Sequence, residues 1–252
     1  MVVVENVSKL FGQRKVVDDV SITIPKNKVT SLIGPNGAGK STLLGMMSRL
    51  IESDTGSIKI EDRLISDWKT EELAKKISIL KQANHLNLRI TVRELVAFGR
   101  FPHSKGRLTA EDEKYIDEAI EYMGLKEMQN KYVSELSGGQ RQCAFIAMVV
   151  AQNTEIIFLD EPLNNLDMKH SVEIMQVLRK LVSEKNKTIV IVIHDINFAS
   201  CYSDHIISLK NGALMHEGAT EKIIDTEILR EIYDMEIPIQ MINDQRICVY
   251  FS

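Results

Sequence analysis

The segment GPNGAGKST, residues 34–42, constrains the fold of this chain more than any other. It satisfies the pattern G-x-x-x-x-G-K-[ST] with Gly34, Gly39, Lys40 and Ser41. The short apolar run KVTSLIG precedes it, and KSTLLGMMSRL, with apolar spacing that favours a helix, follows. In a strand–turn–helix of this kind, backbone N–H groups wrap inward around phosphate oxygens, and the helix start adds roughly half a positive charge. Lys40 then reaches the β- and γ-phosphates and Ser41 ligates Mg²⁺. Pro35, Asn36, Gly37, Ala38 and Thr42 complete the cradle. A glycine-rich turn that merely starts a helix is the alternative, and the full consensus in its proper context weighs against it.

The remaining bounds are those of a soluble globular chain. There are 252 residues, 44% hydrophobic and 26% charged, enough for one large domain or a core with an insertion. A formal net charge of -4 provides no basic field for non-specific nucleic-acid binding, so nucleic acid is not expected as a partner. The three cysteines are scattered without metal-ligand spacing, which fits a reducing compartment. MVVVENVSKLFG lacks the features of a signal peptide. No run approaches the ~20 apolar residues of a membrane-spanning helix. Membrane work is therefore expected to go through a partner.

The first third reads as strand-rich, with VVVENVSKLF and VVDDVSITIP as neighbouring strands and GSIKIEDRLI as a hairpin. From about 84 to 151, helical spacing dominates, in TVRELVAFGR, TAEDEKYIDEAIEYMGL and GGQRQCAFIAMVVAQ. Short apolar runs then alternate with helices again: EIIFLDEP, a helix near 168–184, TIVIVIHD, another helix, and HIISLKNGALMHEG. This order predicts an α/β core with a largely parallel sheet, N-terminal antiparallel strands and an inserted α-helical subdomain. The expected division is one domain over 1–252, with core 1–83 and 152–252 around helical residues 84–151.

Two apolar strands end in polar side chains. EIIFLDEP closes on Asp160, the expected Mg²⁺ partner, and Glu161, placed to polarise an attacking water. By itself this is also what a solvated strand end looks like. TIVIVIHD closes on His194, which would face the same crevice because ligands gather at the carboxyl ends of parallel strands; a structural histidine is the alternative. His85, His103, His170, His205 and His216 have no such context and are left unassigned.

A second glycine-rich turn, LSGGQRQ at 136–142, lies about a hundred residues beyond the first and just before FLDE. With the phosphate loop upstream, it makes the whole chain resemble the ATP-binding cassette (ABC) ATPases, whose signature it matches. The resemblance implies ATP and Mg²⁺ as ligands and ATP hydrolysis as the activity. It also implies a head-to-tail homodimer in which Ser137, Gly138, Gly139 and Gln140 of one copy cover the γ-phosphate held by the other. That accounts for two phosphate-friendly loops in one chain, since Ser137 and the N–H groups of Gly138 and Gly139 form an anion-binding helix start with no phosphate of its own.

The resemblance assigns further positions. Phe11 matches the aromatic residue that stacks on adenine, where tyrosine is usual. Gln82 matches the glutamine that touches Mg²⁺ and water and links the core to the helical subdomain. Asp167 of NNLD is kept, whereas Asn164 and Asn165 depart from the common S-A-L-D. Cys143 stands where a basic residue is frequent. Within the family, TVRELVAFGRFPHSKGRLTAED, AMVVAQNTEIIFLDEPLNNLD and VIVIHDINFASCYSDHIISLKNGALMHEG are similar to importers of iron chelates, haem and cobalamin, above all to catecholate-siderophore (petrobactin-type) ATPases of low-GC Gram-positive bacteria. The implied partners are integral membrane permease subunits and, indirectly, an extracytoplasmic siderophore-binding protein. The implied location is peripheral, on the cytoplasmic face of the cell membrane. Haem or cobalamin import, or a non-transport role such as iron–sulfur assembly, stay open as alternatives.

Overall fold

The computed structural model describes residues 1–81 and 89–250. Gln82 and His85 lie outside the described residues. Contacts divide the chain into two units, Met1–Trp68 with Thr188–Ser252, and Lys69–Lys187. Elements are numbered in chain order across both.

The first unit opens with strands β1 (Val2–Phe11) and β2 (Arg14–Ile24), joined at a tight hairpin where Phe11 faces Arg14. After β3 (Val29–Ile33) and helix α1 (Lys40–Met47) come β4 (Thr55–Ile60) and the short β5 (Arg63–Leu64). Strands β2-β1-β4-β5 form an antiparallel sheet. Val2, Val4, Ile22, Ile24 and Ile60 are buried in it, the period-2 burial of a half-covered sheet.

The chain returns to this unit with β8 (Thr188–Val192), α8 (Ile196–Tyr202), β9 (His205–Lys210) and β10 (Ala213–Ala219). Strand β3 lies between β8 and β9, parallel to both, and β10 adds antiparallel to β9. Strands β3 and β8 are buried at every residue, as expected of parallel strands covered on both faces. The unit finishes with α9 (Thr220–Ile223), α10 (Thr226–Tyr233) and the hairpin β11 (Ile239–Ile242) to β12 (Gln245–Cys248). Two helices and a hairpin thus close the unit. Asn197 of α8 holds β12 reciprocally, donating to the Cys248 carbonyl at 3.1 Å and accepting the Cys248 N–H at 2.7 Å.

The second unit contains α2 (Thr70–Leu73), β6 (Ile77–Leu80), α3 (Val92–Phe98), α4 (Phe101–Ser104), α5 (Ala110–Tyr122), α6 (Gly138–Ala151), β7 (Ile156–Asp160) and α7 (Met168–Lys185). Strands β6 and β7 pair in parallel. Thr91 and Thr109 start α3 and α5 with reciprocal capping boxes. Leu95, Ile116, Phe145 and Phe158 are buried in its core. An ion pair is buried there as well: Arg100 Nε donates to Asp112 at 2.8 Å, with both side chains 4% exposed. The Arg100 guanidinium also donates to the Ala151 carbonyl at 2.9 Å and lies 4.3 Å from the Tyr115 ring.

Candidate functional site

In the first unit, Gly34–Thr42 leaves the end of β3 and enters α1, as the sequence predicts. Gly39 precedes the helix with φ of 98°, a left-handed conformation suited to glycine. A Cβ there would lie 2.4 Å from the Val16 carbonyl oxygen of β2. At Gly34, with φ of 134°, a Cβ would lie 2.0 Å from the Leu209 carbonyl oxygen of β9. The outer glycines of the motif are thus fixed by neighbouring strand backbones as well as by ligand access. Gly212, in the β9–β10 turn, donates to the Ala38 carbonyl at 3.2 Å and accepts from Asp18 N at 2.8 Å. The loop is braced from both sides.

Lys40 is 4% exposed, and its ammonium donates to the carbonyls of Gly34 (2.7 Å) and Pro35 (2.9 Å). The ammonium is therefore held against carbonyls of the loop's own backbone. Ser41 follows in the first turn of α1. His194 comes two residues after β8; Leu32 of β3 and Val192 pair in register, so His194 and Gly34 stand at the same strand ends. His194 is solvent-exposed. Phe11 is 53% exposed at the β1–β2 hairpin, with the Lys9 ammonium 5.8 Å from its ring centroid. The hairpin also brings Arg14 to the loop, its Nη2 3.6 Å from where a Gly37 Cβ would be.

One contact to this loop has no signal in the sequence. The phenol of Tyr233, the last residue of α10, accepts the Gly34 N–H at 3.2 Å. Burial pushes that phenol up to about 12. Lys210 fixes the end of α10 by donating to the Glu231 carbonyl and to Asp234, both at 2.7 Å.

In the second unit, β7 delivers Asp160 and Glu161 at its carboxyl end. Glu161 has φ of 50°, an uncommon left-handed geometry for a side chain of its size. The Asn164 amide donates to the Glu161 carboxylate, which gives the departure from S-A-L-D a physical role. Asp167 caps α7, accepting the His170 N–H at 2.9 Å. That N–H, and after it the His170 imidazole, hold the Asp167 carboxyl below its ordinary range.

Ser137 caps α6 in a reciprocal box: its Oγ accepts Gln140 N at 3.3 Å, and Gln140 Oε1 accepts Ser137 N at 3.1 Å. The Ser137 hydroxyl keeps its proton as a donor. Ser137 and Gly138 are exposed at the start of a fourteen-residue helix, an arrangement suited to an anion. Cys143 is buried, and burial pushes its thiol up to about 11, so it packs as an apolar residue. Among the described residues no group of three or more His, Cys, Asp or Glu is placed to hold a metal, and no helix is long and apolar enough to cross a membrane.

A family model described as ABC transporter matches residues 17–164. The petrobactin import ATP-binding protein YclP of Bacillus subtilis (strain 168) is 63% identical over 252 residues, covering 100% of both chains. The petrobactin import ATP-binding protein FatE of Bacillus anthracis is 48% identical over 95% of this chain and 96% of its own. Among solved structures, the dimeric post-hydrolysis state of the ATP-binding cassette MJ0796 bound to ADP and Pi superposes with a TM-score of 0.77 at 33% identity, over 87% of this chain and 99% of that one.

Proposed function

This chain belongs to the ABC transporter family as an ATP-binding subunit with ATPase activity, and on that premise we propose that it powers import of a ferric siderophore, of the catecholate class, through a membrane permease. The observation that carries the reading is the end-to-end 63% identity to a petrobactin import ATP-binding protein, in a chain with a fully built phosphate loop. In this reading the subunit is peripheral at the cytoplasmic face of the membrane, and its permease partner supplies the span. The helices of 92–151 act as the inserted helical subdomain that receives the permease.

The roles of the side chains follow from their chemistry. The backbone of residues 36–41 binds the phosphates, Phe11 stacks on the base, and the Lys40 ammonium exchanges its two carbonyl acceptors for β/γ-phosphate oxygens. Glu161 accepts the proton of the attacking water, and His194 donates to the γ-phosphate. The Ser41 hydroxyl and the Asp160 carboxylate are the oxygen donors that would hold Mg²⁺, an ion that keeps substrate phosphates and water in its shell. When bound, it would supply counter-charge to the nucleotide's phosphates. Gln82 is proposed as a further contact to it. Two copies close head to tail, so that Ser137, Gly138, Gly139 and Gln140 of one complete the phosphate site of the other. Asp167 stands at that interface.

Disrupting the gene under iron limitation tests the transport reading. Growth on a ferric catecholate siderophore should fall while uptake of haem and cobalamin is unchanged. Loss of haem or cobalamin uptake instead would reassign the substrate.

A further inference from the structure

His170 has no role in the sequence reading, yet it occupies the space beside the second glycine of LSGGQ. Its Nδ1 donates to both carboxylate oxygens of Asp167, at 2.8 and 2.9 Å, while its backbone N–H donates to the same group. The Nδ1–H is shared between the two oxygens, and this charge-assisted bond fixes the ring, because any other rotamer forfeits it. A Cβ built on Gly139 would lie 2.8 Å from His170 Cγ, 3.0 Å from Cδ2 and 3.1 Å from Nδ1. Cγ is the stiff root of the ring and cannot swing aside as a flexible tip can. At Gly138 a Cβ would meet nothing within 4 Å. The two adjacent glycines therefore serve different needs: Gly138 leaves an amide open to solvent, and Gly139 makes room for His170.

A second tie runs beside the first. Gln142 Nε2, one turn into α6, donates to the Pro162 carbonyl at 3.0 Å. The start of α6 is thus bonded to the residue after Glu161 and packed beside the histidine that Asp167 holds.

We propose that His170 is a positioning residue: held by Asp167, its ring is the stop against which the backbone of Gly139 seats, and it sets the pose in which Ser137 and the N–H groups of Gly138 and Gly139 meet the γ-phosphate of a second copy. The inference rests on the head-to-tail dimer described above and adds a residue to it. It also makes Asp167 part of the signature's support, so the two motifs move as one piece.

Compensation tests this in a Glu161→Gln background, which holds ATP without turning it over, with dimer formation in Mg²⁺-ATP read by sizing chromatography. Gly139→Ala should weaken dimerisation by about tenfold or more, since the methyl meets a ring that cannot yield. His170→Ala alone should weaken it by about fivefold while leaving ATP binding by the monomer unchanged. Gly139→Ala with His170→Ala should dimerise better than Gly139→Ala alone, because the added methyl fills the vacated space. His170→Asn keeps an N–H donor for Asp167 and a Cγ against Gly139, so alone it should dimerise like the parent. If the alanine pair does not fold, the contrast between His170→Asn and His170→Ala still decides. Equal dimerisation of His170→Ala and parent, or no gain in a folded alanine pair, would overturn the role of His170 alone. A parent that stays monomeric in Mg²⁺-ATP would overturn the sandwich dimer and this inference with it.

Discussion

Tyr233 and Gly34 are 199 residues apart in sequence and share a hydrogen bond of 3.2 Å from the glycine amide to the phenol. The bond ties the last turn of α10 to the first residue of the phosphate loop. The Gly34 carbonyl, on the next peptide, accepts from Lys40. A side chain from the C-terminal segment thus fixes the residue that holds the loop's cation. Tyr233→Phe keeps the ring and removes only the acceptor. ATP affinity should fall by about fivefold, the value of one ordinary hydrogen bond. Equilibrium ATP binding checks this, and unaltered affinity in a chain with a lowered melting temperature would reduce Tyr233 to a packing residue.

Lys40 is buried and donates to two backbone carbonyls of the phosphate loop. Lys40→Ala deletes the cation that phosphates would otherwise recruit. ATP binding is expected to weaken by about 10–100-fold, the range for a hydrogen bond to a charged group, and hydrolysis to disappear. Isothermal titration with ATP and a phosphate-release assay measure the two effects; native affinity would remove Lys40 from the phosphate site.

Glu161→Gln preserves the side-chain shape and its contact distance to Asn164 while removing the base. Hydrolysis should drop by roughly 10²–10⁴-fold, with ATP retained in a dimer. A carboxylate added at the signature should then block closure by like-charge repulsion. Gly139→Asp would also strike the molecule's own His170, so Gly138→Asp, in open space, isolates the charge effect. If the Glu161→Gln, Gly138→Asp pair dimerises as well as Glu161→Gln alone, LSGGQ is not facing a neighbour's phosphate.

Asp112 pairs with Arg100 in the core of the second unit. Burial alone would raise its carboxyl, but bonds from the Thr109 backbone and hydroxyl, and from Arg100, outweigh that and hold it at about 2. Asp112→Asn leaves a buried guanidinium uncompensated and should cost about 3 kcal/mol near neutral pH. A folded value below the unfolded one gives stability that is complete above the unfolded value of about 3.9 and is lost as pH falls through the folded value. The difference between native and variant chains in denaturant melts should therefore narrow from about pH 4 to about pH 2. A gap that does not change with pH would show that the pair contributes through shape alone.

The sequence by itself determined the phosphate loop, the carboxylates at the end of β7, His194 after β8 and the capped start of α6. Each depends on a contiguous stretch whose backbone geometry is local: a glycine-rich turn between strand and helix, an apolar run with a polar end, a serine before a helix. The strand and helix order was legible for the same reason, because burial on one or both faces leaves a period in the chain. What only the tertiary structure decided are the contacts that hold those pieces still. Leu209 and Val16 bring carbonyl oxygens to the points where Gly34 and Gly39 would carry a Cβ. Tyr233 reaches Gly34 from α10, and His170 fills the space beside Gly139. These partners come from other strands and helices, at sequence separations that carry no period and no local signal. A tyrosine at a helix end or a histidine in a first helical turn looks ordinary until packing brings a glycine against it. The motifs are written in the chain because phosphate binding needs consecutive amides; their supports are not, because close packing is satisfied by whichever residue the fold delivers.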